Sequence, residues 1–324
     1  MSKRNLLILW LAFAVSLAVF AAGVVASTHV DGAQSEGLRY SGGPIGAAQE
    51  VKTGTWTGSL AEKKEKLNLN FELSKEPGHQ HSMGQTYEFS ELGLTREQVV
   101  NGGPVKFTLA REAGTIDCEG SFQNGKGSGT FRFTGNPAFV AAMKSRGFDF
   151  EKDSGGNNNH RLEDRLFTAT CLNVTTARAD DLASAGFKLD VDDLFKATIF
   201  KIDSTYMREM SATGFPNLSM EDLVKTRIFK IDADLVRQAT QMGFAKQGME
   251  ELVKMRIFKV TPEFISEVRN EGLTDLSLEE LVKLRIFNID SDFIRKAKAD
   301  GVPLEVEKLV QRRLGTPGGR KRAI

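Results

Sequence analysis

The second half of the chain repeats itself. Glu221-Asp-Leu-Val-Lys-Thr-Arg-Ile-Phe-Lys-Ile-Asp232 returns as Glu250-Glu-Leu-Val-Lys-Met-Arg-Ile-Phe-Lys-Val-Thr261 and again as Glu279-Glu-Leu-Val-Lys-Leu-Arg-Ile-Phe-Asn-Ile-Asp290. A leucine column, Leu166, Leu194, Leu223, Leu252, Leu281 and Leu309, steps by 28, 29, 29, 29 and 28 residues. A glycine column runs beside it through Gly186, Gly214, Gly243, Gly272 and Gly301. A unit of this length is too small to bury its own apolar face, so neighbours must stack.

Each unit reads as two short helices. The first opens with a capping box, as at Ser219/Asp222, Ser277/Glu280 and Asp190/Asp193. The second is capped by Asp203, Asp232, Thr261 or Asp290 and stops at the glycine, which accepts the left-handed conformation after a helix. Leu223, Ile228, Leu235 and Val236, with their counterparts, form the expected apolar stripe. Pro137 to Gly147 matches the half-unit that ends at those glycines, which extends the array to residues 137–315, with a polar insert at 151–160. Arg312 and Arg313 read as a worn terminal cap, and residues 316–324 as a basic tail.

Between Val51 and Asn136 the apolar period changes to two. Leu67, Leu69, Phe71 and Leu73 alternate with polar residues, as do Val105, Phe107 and Leu109, and Phe131 and Phe133. One buried and one wet face predicts antiparallel strands. About six of them, with a hairpin turn at Asn124-Gly125, predict a small sandwich or barrel. The expected fold is therefore α+β and multidomain: an antiparallel β module followed by an αα-hairpin solenoid.

At the N-terminus, Lys3 and Arg4 precede an uncharged apolar run from Leu6 to Ala26. The run is long enough to cross a bilayer, yet ends in small residues suited to cleavage near Ala26. Residues 1–26 are thus a signal peptide or a membrane anchor, and either sends the rest of the chain out of the cytoplasm. Residues 27–50, rich in glycine and small polar residues, read as a flexible linker.

Charge and composition exclude several classes. Lys+Arg 43 against Asp+Glu 42 is no basis for neutralising many phosphates, so no nucleic-acid partner is expected. Two cysteines and four histidines are too few for a zinc or disulfide framework. His79 and His81 form an H-x-H pair without a third ligand at motif spacing. Asp117 and Glu119 share a strand face and imitate a catalytic pair, but an exposed pair is normally just solvated. Gly125-x-Gly-x-Gly129 lies in a hairpin with no helix to hold a phosphate. No cofactor and no catalytic residue is assigned.

In the array, Lys225, Lys254 and Lys283 with Arg227, Arg256 and Arg285 could line a basic interaction row. The lysines equally form acid-first i,i+4 pairs, Glu221–Lys225, Glu250–Lys254 and Glu279–Lys283, and are expected mainly to be solvated helix pairs. Phe200, Phe229, Phe258 and Phe287 read as core before they read as a binding stripe. Cys118 and Cys171 read as small buried hydrophobes that could bond in an oxidising compartment.

The stretch Leu252 to Gly272, with its Leu-Val-x-x-Arg-Ile-Phe-x-Val-Thr-Pro-Glu-Phe-Ile-x-Glu-Val-Arg-x-x-Gly pattern, resembles helical repeats appended to BlaR/MecR-type bacterial membrane sensor peptidases and related exported proteins. The resemblance covers residues 137–314 and implies a bacterial cell-envelope setting. The peptidase zinc motif has no counterpart here. Together these features predict a non-catalytic extracytoplasmic module that binds a protein partner through its repeats, with the inner membrane a second contact if residues 6–26 stay uncleaved. The alternatives are a small-ligand or metal-binding protein or enzyme with a pocket in the β module, and an envelope spacer.

Overall fold

A computed structural model describes residues 51–61, 66–73, 81–152, 162–213, 218–244 and 248–315. The N-terminal apolar run, the linker, His79, most of the polar insert and the basic tail lie outside the described residues. The fold is α+β: one curled six-stranded antiparallel half-barrel and fourteen helices among the described residues. They fall into two compact units that divide at Thr198/Ile199.

The first unit is built on the sheet. Strands β1 (Val51–Leu60), β2 (Lys66–Leu73), β3 (His81–Glu88), β4 (Gly103–Arg111), β5 (Gly114–Gln123) and β6 (Lys126–Gly135) take the order β3-β2-β1-β6-β5-β4. Two three-stranded meanders thus meet where β1 pairs β6. Asn124 and Gly125, at φ 52° and 77°, make the β5–β6 turn that the Asn-Gly pair predicts. Two helices that the residue pattern did not reveal, α1 (Phe89–Leu92) and α2 (Arg96–Asn101), carry the chain from one sheet edge to the other. Helix α2 opens on Thr95, whose hydroxyl accepts from the Gln98 N–H while the Gln98 side chain accepts from the Thr95 N–H.

The expected sandwich or closed barrel is replaced by a single sheet, because a helix supplies the second layer. Helix α4 (Leu162–Leu172) packs against β3, β4, β5 and β6. Its Phe167 is fully buried, stacks on Phe131 at 5.6 Å and meets Phe133 and Phe71 edge-on at 5.4 and 6.4 Å. Tyr87 of β3 donates its hydroxyl to the Cys171 carbonyl at 3.2 Å, pinning the end of the helix to the sheet edge. The Gly-x-Gly-x-Gly run is a packing ledge. A Cβ on Gly127 would sit 2.4 Å from the Phe122 ring, and one on Gly129 would sit 2.0 Å from the Glu119 carbonyl oxygen.

Helices α3 (Pro137–Lys144), α5 (Thr176–Ala183) and most of α6 (Val191–Ile199) complete this unit, with α3 packed on α5. The second unit contains α7 (Ser204–Ser211) and then three pairs: α8 (Met220–Phe229) with α9 (Ala233–Gln241), α10 (Met249–Ile257) with α11 (Pro262–Asn270), and α12 (Leu278–Ile286) with α13 (Ser291–Ala299). Helix α14 (Val306–Arg313) ends it. The first helices lie side by side, α8 on α10, α10 on α12 and α12 on α14, while α11 packs on α13. Asp203, Asp232, Thr261 and Asp290 each cap the following helix as expected.

The apolar stripe is narrower than its sequence suggests. Leu223, Leu252, Leu281, Leu309 and Val236 are buried, but Ile228 and Leu235 are only half-buried. Burial goes instead to Ile202, Ile231, Val260 and Ile289, the residues just after each first helix. They reach the core because the preceding residue turns left-handed: Lys201, Lys230, Lys259 and Asn288 have φ of 54°, 52°, 53° and 49°. The N–H of Ile231, Val260 and Ile289 then reaches back five residues to Thr226, Met255 and Leu284 carbonyls at 2.8–2.9 Å, a Schellman closure without glycine.

Two outcomes follow for the first unit. Phe167→Ala removes a ring from a closed aromatic cluster and should cost about 3–5 kcal/mol in denaturant unfolding. Cys118 and Cys171 are buried free thiols, and burial pushes both above the ordinary thiol range. The folded state therefore keeps protons that the unfolded chain gives up. Their stabilising contribution should be complete below about pH 8.5 and decline as pH rises beyond it. Urea midpoints of the Cys118→Ala/Cys171→Ala variant should depend less on pH over that range.

Candidate functional site

The repeated cations of the array occupy two different environments. Arg227 of α8 reaches back to the end of the preceding unit, where its Nη2 donates to the Lys201 carbonyl at 2.8 Å. Its guanidinium carbon lies 3.5 Å from the Tyr206 ring centroid. Arg285 of α12 repeats the contact, with Nε donating to the Phe258 and Lys259 carbonyls at 3.2 and 3.1 Å and the guanidinium 4.4 Å from the Phe264 ring. Arg313 of α14 donates to the Phe287 carbonyl at 3.1 Å and lies 5.1 Å from the Phe293 ring. Carbonyls just past a helix end lack an intrahelical partner and lie at the negative end of the helix dipole, so a cation there is held by both. Arg313 therefore belongs to the arginine column, and the chain end continues the repeat that it had seemed to wear away.

Arg256 is the exception that explains the rule. Twenty-one residues back, where the others find Tyr206 or Phe264, it finds Leu235. Without a ring to stack on, Arg256 is left with no described residue paired to its guanidinium.

The lysines also pair between units. Lys225 meets Glu250 of the next unit at 2.5 Å, and this hydrogen-bonded carboxylate raises the lysine pKa. Lys283 likewise pairs with Glu307. Lys254 pairs within its own helix, with Glu251 at 3.7 Å, and Lys196 with Asp193 at 3.6 Å. Lys225 also feels the Glu221 carboxylate four residues back, while Glu250 is drawn to Lys225 of the preceding unit and Glu307 to Lys283, because adjacent first helices bring them near. All these pairs are at least partly solvated and add little stability individually.

In the sheet, Asp117 accepts from the Thr108 hydroxyl at 2.7 Å and Glu119 pairs with Lys106 at 2.7 Å, both on the exposed face of β5. The Lys106 ammonium holds the Glu119 carboxyl below its usual range, the opposite of what an acid catalyst needs. His81 is the first residue of β3, paired in register with Leu73. Strands β2, β1 and β6 stand between β3 and β5 in the sheet. An open cleft on the outer face of β1–β3 is lined by amides and hydroxyls, Asn68, Asn70, Thr57 and Thr86 among them, and by neither carboxylate. Among the described residues no three His, Cys, Asp or Glu side chains gather as a metal site. Among them, too, no helix is long and apolar enough to cross a membrane.

Comparison with protein-family models, curated proteins and solved structures finds no match to this chain.

The two kinds of arginine predict different losses. Arg285→Ala leaves two carbonyl acceptors and an aromatic face uncovered and should cost about 1–2 kcal/mol. Arg256→Ala should change stability by less than about 0.5 kcal/mol. Thermal unfolding of the two variants side by side separates them.

Proposed function

We propose that this chain is a non-catalytic, extracytoplasmic protein-interaction module whose helical repeats form a continuous α-solenoid and serve as its recognition surface. The observation that carries the reading is the recurrence of one packing contact. Arginines 227, 285 and 313 each reach a carbonyl 26 residues back, at Lys201, Lys259 and Phe287. Units joined by the same contact at three of four junctions present similar faces, and a row of similar faces is an extended surface suited to a protein partner. The N-terminal apolar run with its basic flank supports export, followed by release or retention at the inner membrane. The resemblance of the repeats to those of sensor peptidases supports a role in envelope sensing.

In-cell crosslinking with the full chain as bait, against a chain lacking residues 199–315, tests the reading. Crosslinks to one dominant envelope protein should appear with the full chain and disappear with the deletion. Diffuse crosslinks that are the same in both would overturn it.

A further inference from the structure

Three of the four large apolar side chains that stand most exposed among the described residues belong to a single repeat column: Ile199 at 37%, Ile286 at 36% and Leu314 at 60%. Ile228 and Ile257 fill the same column and are half-buried, as are the phenylalanines that follow, Phe200, Phe229, Phe258 and Phe287. These residues sit at the C-terminal ends of the first helices. Arg227, Arg285 and Arg313 each touch the helix end before their own, and at the remaining junction, where Arg256 makes no such contact, α8 packs directly on α10. The result is a continuous apolar edge running the length of the second unit.

Unpaired cations flank the edge. Lys201, Lys230 and Lys259 follow the phenylalanines, are exposed, and have ammonium groups paired with no described residue. Arg256 adds a fourth unpaired cation. Asp203 and Asp232, two residues beyond Lys201 and Lys230, accept from the Tyr206 and Leu235 N–H groups as helix caps.

The first unit shows the same column covered. Cys171 occupies it in α4, is 3% exposed and lies under the sheet on which α4 packs, with the Tyr87 hydroxyl of β3 on its carbonyl. Extended backbone is therefore what packs over this column where it is buried.

We propose that the edge from Ile199 to Leu314 binds an extended segment of a partner protein that alternates acidic and apolar residues. The proposal rests on the reading of the repeats as a recognition surface and gives the partner its chemistry. The apolar side chains would meet the Ile–Phe pairs, and the carboxylates the lysines and Arg256. First helices spaced about 8–10 Å apart give an edge of roughly 35 Å, the length of about ten extended residues. A single file of Ile–Phe pairs suits a linear chain better than a membrane, which takes up a broad apolar face beside basic residues.

Fluorescence anisotropy of the full chain in detergent would test this. The probe is a labelled ten-residue peptide alternating glutamate with leucine or phenylalanine; the control replaces each glutamate with lysine. The acidic peptide should bind and the basic one should not. Ile286→Asp and Lys230→Glu/Lys259→Glu should each weaken binding by about tenfold or more. Lys298→Glu, on α13, should not, and all variants should melt with the parent. Equal binding of both peptides, or binding indifferent to the edge variants, would overturn the proposal. So would variant-sensitive binding to phosphatidylglycerol vesicles without peptide binding, or an edge closed by a second copy in light scattering. If the crosslinks to an envelope protein persist in the edge variants while the deletion abolishes them, the edge proposal fails and the reading of the repeats as a recognition surface stands.

Discussion

Helices of eight to eleven residues do not persist alone in water, and every helix of the repeat region falls in that range. Each must be held along one face and at both ends by something else. The N-terminal ends are mostly held locally, by aspartate, serine or threonine caps. The C-terminal ends are held partly by a left-handed residue and partly by an arginine from the next unit. Because that arginine comes from a neighbour, the order of the units is built into the way each helix terminates. In the first unit the column holds Thr170 and Thr198 instead, whose hydroxyls bond back to the Leu166 and Leu194 carbonyls in their own helices. There the sheet takes over the work of holding α4.

What could be read from residues alone follows from how local each signal is. The leucine column, the capping residues and the Asn124-Gly125 turn act within four residues of themselves, and all appear where they were expected. The two-residue period announced strands with one buried face, and six form. That same period says nothing of what covers the face. A sandwich, a barrel and a half-barrel plugged by Phe167 write the same alternation, and only the aromatic cluster distinguishes them. Helices α1 and α2, four and six residues long, are too short for a periodic signal. The Thr95/Gln98 capping box was the one readable trace of α2.

The candidate site was legible as a set of columns and not as a set of contacts. The arginine column was visible, but its acceptors are backbone carbonyls in the preceding unit, and a carbonyl leaves no mark in a sequence. Ring partners at Tyr206, Phe264 and Phe293 could have been found by asking what stands twenty or twenty-one residues before each arginine. The isoleucine column was taken for core because a branched apolar residue on a short amphipathic helix usually is core. It lies at the last turn, where the chain bends left and sends the following residue inward in its place.

The left-handed lysines have a further consequence. An ordinary side chain in that conformation costs about 1 kcal/mol relative to glycine, and Lys201, Lys230 and Lys259 all adopt it. A helix end that needed only to turn would be more stable with glycine, as the second helices are at Gly243, Gly272 and Gly301. Stability and surface charge are therefore separable at three positions. Glycine there would leave the array better folded and remove three of the four unpaired cations along one side. A chain optimised for thermal endurance and one optimised for contact would differ at those residues first.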